Sequence, residues 1–309
     1  MKSRTWQVGA VRITRVIELI AERPPEFGFR NLSPSDIEEQ TWLRPHFVTD
    51  QGRLRTAIQT FIVESDGLRI VVDTCVGDGK PRNNPGFNEL QTGFLTRLEQ
   101  SGFALDSVNV VLCTHLHVDH VGWNTMRIGD SWVPTFPNAE YLFGRTEWEH
   151  WQSENAAGLA GDVAPEIMTG VIDHSAVWAD SVKPIVDRNL HKLVETDHQI
   201  TSEVRLIPTP GHTPGHASVL ISSQHEQAII TGDIMHHPIQ MSLPHVSSRF
   251  DHSVTLAENT RRSLLGEQAG TRTLLLGTHF PPPTAGYVVA SEGAWLLDSE
   301  PEETGSGNG

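Results

Sequence analysis

Residues 114–120 read Thr-His-Leu-His-Val-Asp-His, crowding three histidines and an aspartate into the six positions from His115 to His120. With histidine at 16 of 309 residues and aspartate equally frequent, such a pattern arises by accident in roughly 0.002 of chains this long. Three further segments offer similar donors: TPGHTPGH at 209–216, TGD at 231–233 and GTH at 277–279. Neutral imidazoles suit zinc, and a carboxylate can bridge two cations or stand beside a bound hydroxide. Seven donors, five histidines and two aspartates, exceed what one tetrahedral ion takes. They suit two ions a few ångströms apart that share one carboxylate and one hydroxide. TPGHTPGH holds both His212 and His216, and spacing alone does not choose between them.

Donors so far apart in the chain need elements that bring them together. Each motif follows an apolar run of strand character: VNVVLCT (108–114), VRLIP (204–208), QAII (227–230) and TRTLLL (271–276). Strand ends can converge on one edge of a sheet, where pockets form. In an extended stretch His115, His117 and Asp119 share a face, and a turn at Asp119-His120 aims the last pair at a neighbouring position. VRITRVIEL (11–19) and ASVLISS (217–223) also read as strands, and TAIQTFIVE and LRIVVDT as a hairpin around Ser65-Asp66-Gly67. Helical spacing of Leu90, Phe94, Leu95 and Leu98 predicts a helix over 88–103 ending at Gly102. A second helix is expected over 253–268, and AEYLFGRTEWEHW starts as a strand and continues as a helix. Residues 150–195 read as mainly helical or irregular. The stretch 22–48, with Phe27, Phe29, Trp42 and Phe47, is either a surface connection or an excursion lining a pocket, with a short helix capped by Ser35. With no short repeat and no linker in view, residues 1–300 are expected to form one domain, with 30–55 an inserted loop and helix and 301–309 a disordered tail.

In order, IVVDTCVG, THLHVDHVG, TPGHTPGH, TGD and GTH resemble the metallo-β-lactamase-fold hydrolases over roughly residues 55 to 285. The resemblance implies an α/β chain folded as a four-layer αββα sandwich with its metal site at one rim. It implies that His115, His117 and His212 hold one ion, that Asp119, His120 and His279 hold the other, and that Asp233 bridges, leaving His216 behind the ligands. Asp73 would orient a metal-binding histidine through a hydrogen bond. Cys75 stands where the family commonly has glycine, which implies an altered turn. Within the family the chain looks most like the acyl-homoserine lactonases and the methyl-parathion hydrolase branch. Many of those lactonases place a substrate-binding tyrosine three residues after the bridging aspartate, where this chain has His236. The implied cofactors are two divalent ions, zinc first, with Mn2+, Fe2+ or Co2+ as alternatives. The implied reaction is attack of a metal-bound hydroxide on a carboxylic ester or lactone, with Asp119 and His236 as catalytic side chains. A phosphotriester is the runner-up substrate, ahead of a β-lactam or thioester. Trp123 and Phe280 read as packing residues before substrate contacts.

Composition narrows the partners. The formal net charge of −15 repels phosphate backbones, so a small-molecule substrate is expected and nucleic acid is not. That charge, and the lack of a nucleic-acid domain, also speak against a nuclease of this fold. A di-iron flavoprotein of this fold would carry Glu where His117 stands; a mononuclear iron sulfur dioxygenase and a non-catalytic metal binder stay open. No Gly-x-Ser-x-Gly elbow, phosphate loop, Cys-x-x-Cys pair or His-Glu-x-x-His helix is present. Cys75 and Cys113 read as buried thiols. The amino terminus lacks an apolar export segment and no stretch of 18 apolar residues occurs, so no membrane is expected and the cytoplasm is the default. A homodimer is compatible with all of this.

Overall fold

The computed structural model describes residues 3–157 and 173–299. Seven strands form one sheet in chain order: β1 (Arg4–Val8), β2 (Val11–Arg23), β3 (Leu54–Ser65), β4 (Leu68–Val72), β5 (Val110–Cys113), β6 (Glu140–Gly144) and β7 (His191–Val194). Pairing is antiparallel from β1 to β4 and parallel from β4 to β7. The second sheet is also in chain order: β8 (Val204–Pro208), β9 (Ala217–Ser223), β10 (Glu226–Ile230), β11 (Thr273–Leu276), β12 (Ala285–Ser291) and β13 (Ala294–Asp298). Its pairs are antiparallel except β10 with β11.

Alternation along these strands sends one set of side chains between the sheets. Phe61, Val63, Ile70 and Val72 meet Val204, Leu206, Val219 and Ile221 there. The opposite face of the first sheet is covered by α1 (Phe94–Gln100), by α2 (Val118–Val121), by α3 (Arg145–Ala157) and by the turns around 174–186. The opposite face of the second sheet is covered by α4 (Val254–Gln268) and by residues 29–48. The result is four layers, αββα.

Several local expectations need correcting. The helix expected over 88–103 is only Phe94–Gln100, because Gly93 at its start has φ 67°; Leu90 packs on the core from outside the helix. The short helix Pro34–Glu39 is capped by Ser33, not Ser35. Proline at its first position and a reciprocal bond with Asp36 make it a capping box. Strand β3 begins at Leu54, so the excursion ends just short of residue 55. Phe29, Leu43 and Phe47 are buried in the outer layer. Each such side chain contributes roughly 1.5–3 kcal/mol when removed from water, so the excursion is anchored by packing. Residues 158–172 and the tail 301–309 lie outside the described residues.

Candidate metal centre

Four strand ends deliver the donors, as the motifs imply: β5 leads into His115, β8 into His212, β10 into Asp233 and β11 into His279. After β5 the chain bends at Thr114 and His115, and His117, itself extended at φ −72°, ψ 161°, leads into the helical turn Val118–Val121. The helical turn therefore begins one residue before Asp119, and Asp119 groups with His120 and His279 rather than with His115 and His117. Glycine makes the close packing possible. A Cβ on Gly122 would lie 1.8 Å from the carbonyl oxygen of Val76, and one on Gly232, at φ +56°, would lie 2.4 Å from His216 Nε2.

The inward nitrogens and oxygens converge. His117 Nδ1 is 3.0 Å from His115 Nε2 and 2.9 Å from His212 Nε2. Asp233 sits between this trio and the rest, with Oδ2 3.4 Å from His212 Nε2 and 3.8 Å from His115 Nε2. Its Oδ1 is 3.1 Å from both His120 Nε2 and His279 Nε2. Asp119 lies 3.7 Å from each of those two imidazoles. Donor atoms of His115, His117 and His212 fall within 4.8 Å of one another, as do those of Asp119, His120 and His279. Buried imidazole and carboxylate atoms this close, with His120 Nε2 and Asp233 Oδ1 lacking any hydrogen-bond partner, fit a cation far better than they fit each other.

Electrostatics separates the donors. Burial holds His115, His117 and His212 well below the ordinary histidine value, so they are neutral and keep their lone pairs. Burial also opposes charge on His120 and His279, but Asp233 and other carboxylates outweigh it, raising His120 well above normal and His279 to about 9. Burial alone would raise Asp233; the surrounding imidazoles, His120 and His279 foremost, hold it well below the usual carboxylate range. Protons on His120 and His279 thus occupy positions that a cation can take over.

The outward nitrogens are held too. His279 Nδ1 donates to the carbonyl of Ala57 at 2.8 Å. His120 Nδ1 lies 2.9 Å from Asp73 Oδ2 in a charge contact without hydrogen-bond geometry, and Asp73 accepts the Thr114 amide at 2.8 Å. Asp73 and Cys75 are both in the left-handed region, at φ 59° and 53°. The left-handed conformation at Cys75 is one that glycine adopts more readily than cysteine. His216 points away from the donors; it accepts the Asp233 amide through Nε2 at 2.8 Å, with Nδ1 2.9 Å from the Thr209 carbonyl.

His236 faces the centre, Nε2 3.2 Å from Asp233 Oδ2 and its ring stacked parallel on His279 at 5.5 Å. Neither ring nitrogen has a hydrogen-bond partner, and His212, Asp233 and His236 form a further close group of donors. Trp123 and Phe280 pack instead: Trp123 stacks on Phe94 and donates to Glu18 at 2.7 Å, and Phe280 is fully buried. The excursion does reach the site, where the Phe29 ring lies edge-on to His236 at 6.4 Å.

Two buried acids near the centre lie outside the sequence motifs. Glu147 on α3 accepts the amides of Leu116 (3.1 Å) and Gly215 (3.2 Å), tying two donor loops together. Asp251 lies 3.0 Å from His212 Nδ1. Neither sits in a metal-like pattern; for Glu147 the one signal is an acid inside an apolar-faced helix.

Comparison with known proteins identifies the family. A family model described as the metallo-beta-lactamase superfamily matches residues 54–293. The N-acyl homoserine lactonase AiiA of Bacillus thuringiensis subsp. kurstaki is 21% identical over 189 residues, covering 57% of this chain and 63% of the lactonase. A probable metallo-hydrolase of Mycobacterium tuberculosis is 26% identical over 194 residues, covering 57% of this chain and 56% of that protein. This chain thus spans less than two thirds of the curated relatives it matches. Among solved structures, the dizinc quorum-quenching lactonase AidC, in complex with a product, superposes with TM-score 0.79 at 20% identity over 97% of both chains. The hydrolase AbOPH superposes with TM-score 0.76 at 22% identity over 97% of this chain and 99% of its own. At these identities the two structures establish the fold.

Proposed function

Because the chain belongs to the metallo-beta-lactamase superfamily, we propose that it is a binuclear metal-dependent hydrolase of carboxylic esters or lactones. The observation that carries the reading is the convergence of seven donors from four strand ends into two groups that share Asp233 between them. In this reading His115, His117 and His212 would hold one cation, Asp119, His120 and His279 would hold the other, and Asp233, which lies between the two groups, would serve both. Bound there, two divalent cations, zinc first, would supply an acidified water and an electrophile for a carbonyl oxygen.

The chain's own side chains do the rest. Asp119, less buried than His120 and Asp233, takes the proton of the attacking water and returns it to the leaving alcohol. His236, at the same mouth and with ring nitrogens that make no hydrogen bond, donates a hydrogen bond to the substrate oxygen on which negative charge develops. Buried His115 and His212, with half-buried His117 between them, are neutral and keep the site in one geometry. The substrate is small and neutral, in keeping with the acidic chain. The proposed compartment is the cytoplasm, where the buried thiols Cys75 and Cys113 stay reduced.

The relatives named as lactonases support the ester or lactone class. A phosphotriester is the second reading, favoured by His236 in place of a carbonyl-binding tyrosine. Zinc-loaded protein assayed against lactones, aryl esters, phosphotriesters and β-lactams decides. Fastest turnover of a lactone or aryl ester is expected. Fastest turnover of a phosphotriester would install the second reading, and turnover of none would overturn both.

A further inference from the structure

Asp251 is the least expected acid near the centre. It lies in the loop that precedes α4, outside every motif, and its carboxylate is buried. Oδ1 is 3.0 Å from His212 Nδ1, and Oδ2 accepts the Ser248 amide at 2.9 Å. The same loop grips the His212 backbone: the His252 amide donates to the His212 carbonyl and the Ser253 amide to the Gly211 carbonyl, each at 2.9 Å. Arg261 of α4 stands behind it, Nη2 3.9 Å from Asp251 Oδ2, while its Nε donates to the Ile234 carbonyl at 2.8 Å. On the outer side Ser247–Ser248 pairs with Phe29–Arg30, and Arg249 donates through its backbone amide to Gly28 and through Nε to Glu26.

We propose that Asp251 is the positioning residue of the first cation site, and that the 24–30 excursion braces it there. By accepting from His212 Nδ1–H, the carboxylate commits that ring to the tautomer whose Nε2 lone pair faces His117 and Asp233. Its second oxygen is committed to Ser248, so the carboxylate serves two donors at once. Asparagine offers one acceptor oxygen and an N–H2 group, and would leave either the His212 N–H or the Ser248 N–H without a partner. Outer partners of this kind contribute about 10- to 100-fold in metal affinity.

The inference rests on the two-cation reading, and its test keeps the two apart. Chelator-stripped wild type and Asp251→Asn are titrated with zinc against a competing chromophoric chelator, and unfolding of each metal-free protein is followed by circular dichroism. Wild type should take up two ions; Asp251→Asn should lose about 10- to 100-fold at one site with the other unchanged. Arg249→Ala, which cuts the side-chain bond to Glu26, should weaken the same site to a smaller degree. Two wild-type affinities in a folded Asp251→Asn would overturn the positioning role. Equal loss at both sites would also overturn it, as would an Asp251→Asn chain that unfolds metal-free, for either makes Asp251 a general support. A wild type that binds no zinc would instead overturn the metal reading itself.

Discussion

At the scale of single residues, the centre separates groups that look alike in the sequence. His212 and His216 share one eight-residue motif, yet one faces the donors and the other holds the Asp233 amide from behind. His212→Ala should therefore lose one of two bound ions. His216→Ala should keep both while losing ~1–3 kcal/mol of stability for the stranded amide. Metal content and urea unfolding of the two variants check this, and the reverse order would contradict it. Asp119 is more exposed than His120 and Asp233 beside it. Asp119→Asn keeps the shape and removes the proton acceptor, so kcat should fall by roughly 10²-fold or more. Metal content measured on the same sample separates that loss from weaker binding. Wild-type kcat at full occupancy would remove Asp119 from the proton path. Cys75 and Cys113, buried and with thiols pushed up by burial, offer no competing nucleophile.

At the scale of elements, what was legible in the chain and what was not divides along one line. The strand ends could be read because each apolar run stops directly against a donor motif. Helix α1 was read too long because Leu90 fits the period of Phe94 and Leu98, while the left-handed Gly93 that stops the helix has no periodicity to show it. Asp251 and Glu147 are not legible because the partners that tie them to the donor loops are backbone amides and a ring nitrogen 31 to 68 residues away, which no local pattern records. Glu18 belongs with them. The register of β2 against β3 slips between Ile17 and Leu19, and the bulge turns Glu18 inward onto the Val76 and Gly77 amides and the Trp123 indole. Burial, the largest influence, raises its carboxyl to about 7 in spite of those three donors. The folded protein then holds a proton that the unfolded chain has released. The contribution to stability is full below about pH 4.5 and is lost as pH rises through about 7, by on the order of 3 kcal/mol. Urea unfolding across that window should show wild type losing stability relative to Glu18→Gln as pH rises. A difference that is flat or that grows would contradict the assignment.

At the scale of the whole molecule, the two sheets act as a frame that aims four strand ends at one rim, and the outer layers tie the loops in place. Among the described residues no helix is long and apolar enough to cross a membrane. The formal charge of −15 counts Asp119 and Asp233 as free anions, although both stand among imidazoles. The account stands or falls on whether those imidazoles and carboxylates hold two cations that run hydrolysis. The direct measurement is zinc titration of the chelator-stripped protein, with bound metal counted by elemental analysis. Two zinc ions per chain are predicted, with ester or lactone turnover rising until the second is bound. A plateau at one ion or none, with zinc in excess, would contradict the account.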